Sequence, residues 1–246
     1  PTALGPKIAS AFMATLYVGM AVIVLVSHYD QIGAAFEQIF IGAFTGAGVA
    51  GGFIGALIQG LKRATFSNEA GVGSAAIAHS AVKTKEPITE GFVSLLEPFI
   101  DTVVICTMTA LVIIISGMNT GALSGVTLTA AAFTETSFIF EYFLALAVVM
   151  FAFSTMVSWS YYGLKAWTYL FGEGATTELV YKGIFCLFVI VGTSISFGAV
   201  IDFSDAAMFS MSIFNIIGLY YLMPIVKKEL NSFVARVNSG EIKRYK

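Results

Sequence analysis

Charge is what this chain has least of. Only 11% of its 246 residues are Asp, Glu, Lys or Arg, and 57% are hydrophobic. A soluble domain carries roughly a quarter charged residues, so a water-soluble globule is excluded and the chain belongs in a bilayer. Cysteine is nearly absent as well. Cys106 and Cys186 both lie in apolar runs, which excludes a disulfide framework and a thiolate metal site. With two histidines, His28 and His79, a zinc site is not expected either. The opening "PTALGPK" has no Met and no basic stretch ahead of an apolar one, so it does not read as a signal peptide. A chain that opens this way is expected to be part of a longer protein. No basic platform interleaved with aromatics is visible, so nucleic acid is not an expected partner.

What the chain does have is long apolar runs, five or six of which reach the ~18–20 residues that cross a membrane. The expected spans are residues 8–26, 32–61, 92–116, 138–164, 184–201 and 206–226. Residues 66–85 read as a cytoplasmic-edge segment and 227–246 as a tail. Polar connections fall at 27–31, in a Gly/Thr/Asn loop before residue 138, and in "FGEGATTELVYKG" before residue 184.

The cations sort these connections into two classes. Lys7 precedes the first span; Lys62, Arg63, Lys83 and Lys85 lie between the second and third. Lys165 and Lys182 lie between the fourth and fifth, and the remaining six of the thirteen Lys and Arg follow the sixth. The alternate connections hold none. The positive-inside rule then places both ends of the chain and the basic loops in the cytoplasm. Only an even count of six spans gives that pattern.

Within the second span lies "FIGAFTGAGVAGGF", residues 40–53, with glycines at 42, 46, 48, 51 and 52. Each glycine costs a helix interior roughly 1 kcal/mol relative to alanine, so this stretch resists staying helical through its middle. Unpaired backbone inside a membrane is tolerated only where protein buries it or it lines a cavity. A span broken at mid-depth is therefore a candidate solute or ion site. Helix packing through small residues is the alternative, since Gly42/Gly46 and Gly48/Gly52 fit small-xxx-small spacing. If the break forms, the carbonyl end near Phe44 and Thr45 suits an ammonium group or Na+, and freed amides from Gly48 onward suit a carboxylate. Gly46, Ala47 and Gly48 leave room for a small solute beside the backbone.

Beyond Lys62–Arg63 comes "FSNEAGVGSAAIAHS", residues 66–80, too polar to span and too apolar for a free loop. Glu69 is expected to pair with Arg63, because a partly desolvated charge usually finds a partner. Glu97 and Asp101, one turn apart, repel each other and are expected to draw on the same basic loop.

This segment resembles the signature of the alanine or glycine:cation symporter family. The resemblance continues through "DTVVICTMTALVIIISG" (101–117) and "FAFSTMVSWSYYG" (151–163), several separated motifs in order over nearly the whole chain. Ala64–Thr65, Ala76 and Ser158 depart from the family's usual residues. The resemblance implies an all-α membrane protein: six transmembrane helices in all, made up of the second inverted repeat and the helix that precedes it, of a leucine-transporter-like fold. It implies Na+-coupled symport of a small neutral amino acid, alanine or glycine, in a bacterial inner membrane, with the amino-terminal half of the transporter as the missing partner. No organic cofactor is implied; Na+ is the coupling ion. It further implies that Phe44, Thr45, Gly46, Gly48, Thr155 and Trp159 meet the substrate and that Ser154 and Thr155 bind the cation. Arg63, Asn68, Glu69 and Asp101 are left as structural or gating residues.

The residues themselves leave alternatives open. Ser154 and Thr155 lie ~22 Å of helix beyond Phe140. They can supply oxygens to a hard cation or bond back to the i−4 carbonyls. Trp159 shares a face with Thr155 and equally suits an interfacial anchor. Another leucine-transporter-like symporter, a channel, or a non-transporting membrane subunit are the other readings. Gly46-x-Gly48-x-x-Gly51 matches a dinucleotide fingerprint but lacks the strand before it. Ser74 and His79, five residues apart on one helix, point away from each other, so a serine hydrolase is declined and no enzyme is expected.

Overall fold

The computed structural model describes residues 4–44, 53–120 and 123–242. Among them there is helix and no strand. Ten α-helices run in order: α1 Leu4–Ser27, α2 Ile32–Phe44, α3 Phe53–Asn68, α4 Ser74–Ser80, α5 Pro87–Pro98, α6 Thr107–Ile115, α7 Gly125–Thr136, α8 Ile139–Phe171, α9 Ala175–Thr193 and α10 Phe197–Asn238. A π-helical stretch, Phe99–Cys106, joins α5 to α6 directly after Pro98. Proline has no amide to donate, which loosens the ladder where the wider winding begins.

Among the described residues, four helices are long and apolar enough to cross a membrane: Pro87–Ile115 counted through its π stretch, α8, α9 and α10. Ala11–Ser27 and Tyr29–Phe44, bent by 80° at His28, make a fifth if taken as one span. The chain is thus a multi-pass, all-helical membrane protein. Of the expected second span, residues 32–44 are α2 and residues 53–61 belong to α3. Residues 45–52, which hold four of the five glycines counted above, lie outside the described residues, and with them Thr45, Gly46 and Gly48.

The chain forms two compact units. The first comprises residues 1–61 and 100–159. Its core is Met20, Ala21 and Val24 of α1, Val112 of α6, Ala132 and Phe133 of α7, and Phe140 and Leu144 of α8. Residues 17, 20, 21 and 24 share one face of α1, which is why Tyr17 joins this cluster. The Tyr17 hydroxyl lies 2.6 Å from Thr109 Oγ1, and Thr109 in turn donates to the Ile105 carbonyl. The tyrosine is therefore the donor between the two hydroxyls. Helix α7 occupies part of what the sequence presented as a Gly/Thr/Asn loop. Ser124, in extended conformation, starts it, and the run Ala130–Ala132 favours helix. It is too short to span and reads as loop by hydropathy, yet Phe133 is fully buried.

The second unit comprises residues 62–99 and 160–246. Its helices depart from the expected boundaries. The turn between the last two spans falls at 194–196, not at 202–205, and α10 runs unbroken past Asp202, Asp205 and Pro224. Two aspartates in an apolar run look like a connection; here Asp205 is 8% exposed and its charge is met within the unit. The tail expected from residue 227 is helical as far as Asn238.

Candidate functional site

In the first unit, the residues that flank the glycine-rich stretch come together. Phe44 at the end of α2 stacks on Phe53 at the start of α3, ring centroids 5.5 Å apart and planes 26° apart. Phe44 is otherwise open, 68% exposed.

The same unit holds Ser154, Thr155 and Trp159 on α8. Thr155 is exposed, while Ser154 and Trp159 are half-buried. Thr155 and Trp159 are one turn apart and share a face; Ser154 is rotated about 100° away. Asp101 lies in the π-helical stretch, beside Thr102, whose hydroxyl approaches its Oδ2 at 3.5 Å. A π turn leaves backbone carbonyls less fully engaged than an α turn, which is one reason such turns recur at functional sites.

The remaining expected residues belong to the second unit, where one turn organises them. Asn68, 7% exposed, accepts the Ala70 amide on Oδ1 at 2.9 Å, an Asx turn. Glu69 then takes φ +55, a left-handed conformation that is uncommon for a residue with a side chain. Gly73 takes φ +104, and a Cβ there would lie 3.1 Å from Asn215 Oδ1. The conformation favours glycine at that position, and a side chain there would also press on Asn215.

Helix α10 holds the segment at three levels. Arg63 Nη2 donates to both carboxylate oxygens of Asp205 at 2.5 Å. Asn215 Nδ2 donates to the Gly71 carbonyl at 2.9 Å. Arg236 grips Glu86 with two parallel hydrogen bonds, 2.7 and 2.5 Å. Positions 205, 215 and 236 stand about 15 and 31 Å apart along the helix. The Arg236 guanidinium holds the Glu86 carboxyl below the usual carboxylate range. That tie is therefore complete above the ordinary range and is lost as pH falls through the lowered value.

Asp205, Asn215 and Arg236 were missed as partners in the sequence. A signal did exist for one of them: an Asp inside an apolar helix demands a partner. Nothing local pointed to residue 63. His79, set aside in the sequence as a catalytic base, faces two carboxylates, Glu90 and Glu97. Ser74 is buried, with its hydroxyl unpartnered among the described residues. No hydrogen bond joins that hydroxyl to His79, so these two residues do not make a nucleophile and base.

A family model described as the sodium:alanine symporter family matches residues 6–246. The chain is 37% identical over 227 residues to the sodium/alanine symporter AgcS of Methanococcus maripaludis, covering 90% of this chain and 50% of that protein. It is 32% identical over 234 residues to the probable sodium/glutamine symporter GlnT of Bacillus subtilis, covering 93% and 48%. To the amino-acid carrier protein AlsT of the same organism it is 30% identical over 230 residues, covering 93% and 49%. The chain spans about half the length of these curated relatives.

Proposed function

We propose, on the premise that this chain belongs to the sodium:alanine symporter family, that it forms part of a Na+-coupled symporter for small neutral amino acids, alanine or glycine first. Its partner is the half of such a transporter that the relatives possess and this chain does not match, together with the lipid of a bacterial inner membrane. Both ends of the chain face the cytoplasm in this reading.

The mechanism is alternating access around a site at mid-membrane. The carbonyl end of α2 at Phe44, with Thr45 next in the sequence, receives the substrate ammonium, because an α-helix ends in partial negative charge. Gly46 and Gly48 let the solute approach the backbone. Thr155 and Trp159 form the wall on α8, and the carboxylate is met by the partner half. Ser154 and Thr155 give Na+ the oxygen ligands a hard cation takes. Coupling follows if Na+ there stabilises the state that holds the amino acid more tightly. Arg63, Asn68, Glu69 and Asp101 act in structure and gating.

One observation carries this reading. Phe44 at the end of α2 stacks on Phe53 at the start of α3, so two residues of the expected glycine-bearing span lie ring to ring. The test is uptake by the complete transporter in vesicles. Thr155→Val should raise the Na+ concentration needed for half-maximal uptake, and Trp159→Ala should weaken substrate binding with expression unchanged. Sodium dependence that is unmoved by Thr155→Val removes that residue from the site. Absence of solute counterflow in the wild type removes the symport reading altogether.

A further inference from the structure

His79 closes the last turn of α4, and Glu90 and Glu97 stand seven residues apart on α5, two turns along one face. The imidazole lies between the two carboxylates. Its Nδ1 is 2.6 Å from Glu90 Oε1 and its Nε2 is 3.3 Å from Glu97 Oε2. Ionised carboxylates accept hydrogen bonds only, so both ring nitrogens must carry a proton to satisfy both contacts. A neutral ring would turn a lone pair toward one of them. The helix ends favour the same state: a cation at the C-terminus of α4 and an anion in the first turn of α5 each meet the opposite end of a dipole.

The other charged groups nearby are accounted for. Glu86, at the start of α5, is held by Arg236 of α10, which has Glu229 and Glu241 around it. Lys165 of α8 lies across a cavity of about 560 Å³ lined by Ala76, Ile77, Ser80 and Ala81, and its Nζ sits 5.6 Å from the Tyr161 ring centroid. Lys83 and Lys85 are exposed in the linker between α4 and α5. A metal ion is a poor occupant. The two carboxylates face different ring nitrogens, so no single point has three donors. Among the described residues no group of three or more His, Cys, Asp and Glu is arranged to hold a metal.

We propose that His79, Glu90 and Glu97 form a proton-binding site whose proton fastens α4 to α5. The Glu90 hydrogen bond, helped by Glu97, holds the His79 imidazole above its ordinary value near 6.5 against the opposing effect of burial. The fastening is therefore complete below the ordinary value and is lost as pH rises through the raised one. A neutral ring keeps one N–H, so the contact given up with the proton is the longer one, to Glu97. The proton site itself does not depend on the symport reading. Its consequence, that the step opening the cytoplasmic side responds to internal pH, rests on that reading and on the topology proposed above.

The experiment uses the full chain in lipid nanodiscs with 15N-labelled histidine, and no solute is needed. His28→Gln leaves a single imidazole to follow from about pH 5 to about pH 9. His79 should titrate above its ordinary value, and Glu90→Gln should lower that value more than Glu97→Gln. Amide exchange over residues 74–81 should be about tenfold slower in the protonated wild type than in His79→Gln, the size of one lost charge-assisted hydrogen bond. The two should converge at high pH, and His79→Lys should stay protected throughout. Titration at or below the ordinary value, indifference to Glu90→Gln, or equal exchange at every pH would each overturn the proposal. Uptake is read separately, so a failed symport assay leaves the titration result standing.

Discussion

At the Arg63–Asp205 pair the two side chains are unequally wet. The Asp205 side chain is 11% exposed and that of Arg63 is 44% exposed. Removing one partner of a buried pair is costly because the charge left behind has nowhere to go. That reasoning applies to Asp205 and much less to Arg63, which can turn to water. Arg63→Ala should therefore destabilise the chain by about 3 kcal/mol, and Asp205→Asn by about 1 kcal/mol. Unfolding midpoints in detergent check the order; equal losses would mean that Asp205 is solvated. The sequence pointed to Arg63 as a residue in need of a carboxylate and named Glu69 as the nearest. It could not offer Asp205, 142 positions away, because a tie of that length is made by folding.

Among the elements, α8 and α9 approach closely at Gly163. A Cβ there would collide with the Tyr181 hydroxyl, which also bonds to Ser160. Gly163→Ala should cost about 1–2 kcal/mol as the ring is pushed aside. Tyr181→Phe removes the colliding atom, so the double variant should recover most of that loss. Additive losses in a double-mutant cycle would show that the two helices do not meet there. Helix existence was legible in the sequence, because α8, α9 and α10 are long apolar runs. Their ends were less so. The turn at 194–196 is three residues between apolar stretches, and hydropathy averaged over a span cannot resolve it. Helix α7 was hidden for the opposite reason: it is short, rich in threonine, and earns its burial only by packing Phe133 against α1, α6 and α8.

For the whole molecule, orientation in the bilayer is the property most open to a direct check. All thirteen Lys and Arg lie at the ends and alternate connections that the positive-inside rule assigns to the cytoplasm. With Cys106 and Cys186 exchanged for serine, Ser239→Cys should be shielded from an impermeant maleimide in intact cells. Ser194→Cys, in the turn after α9, should react. The reverse pattern would invert the topology and move the His79 site to the outer face. The candidate solute site divides in the same way as the fold. Thr155 and Trp159 were legible as neighbours on one helix face, because a period of 3.6 residues suffices to place them. The approach of Phe44 to Phe53 was not, because it depends on the path between two helices.

The amino-acid sequence by itself determined the solvent of this protein, its all-helical class and its family. These follow from sums over roughly twenty residues at a time, and from ordered motifs, neither of which needs a partner from elsewhere in the chain. Only the tertiary structure decided which carboxylate neutralises Arg63, what stands on either side of His79, and that α10 continues through Asp205. Each of those is a charge or a ring brought out of water by a residue distant in sequence. The free energy of doing so is set by the neighbour that arrives, not by the run of residues it interrupts.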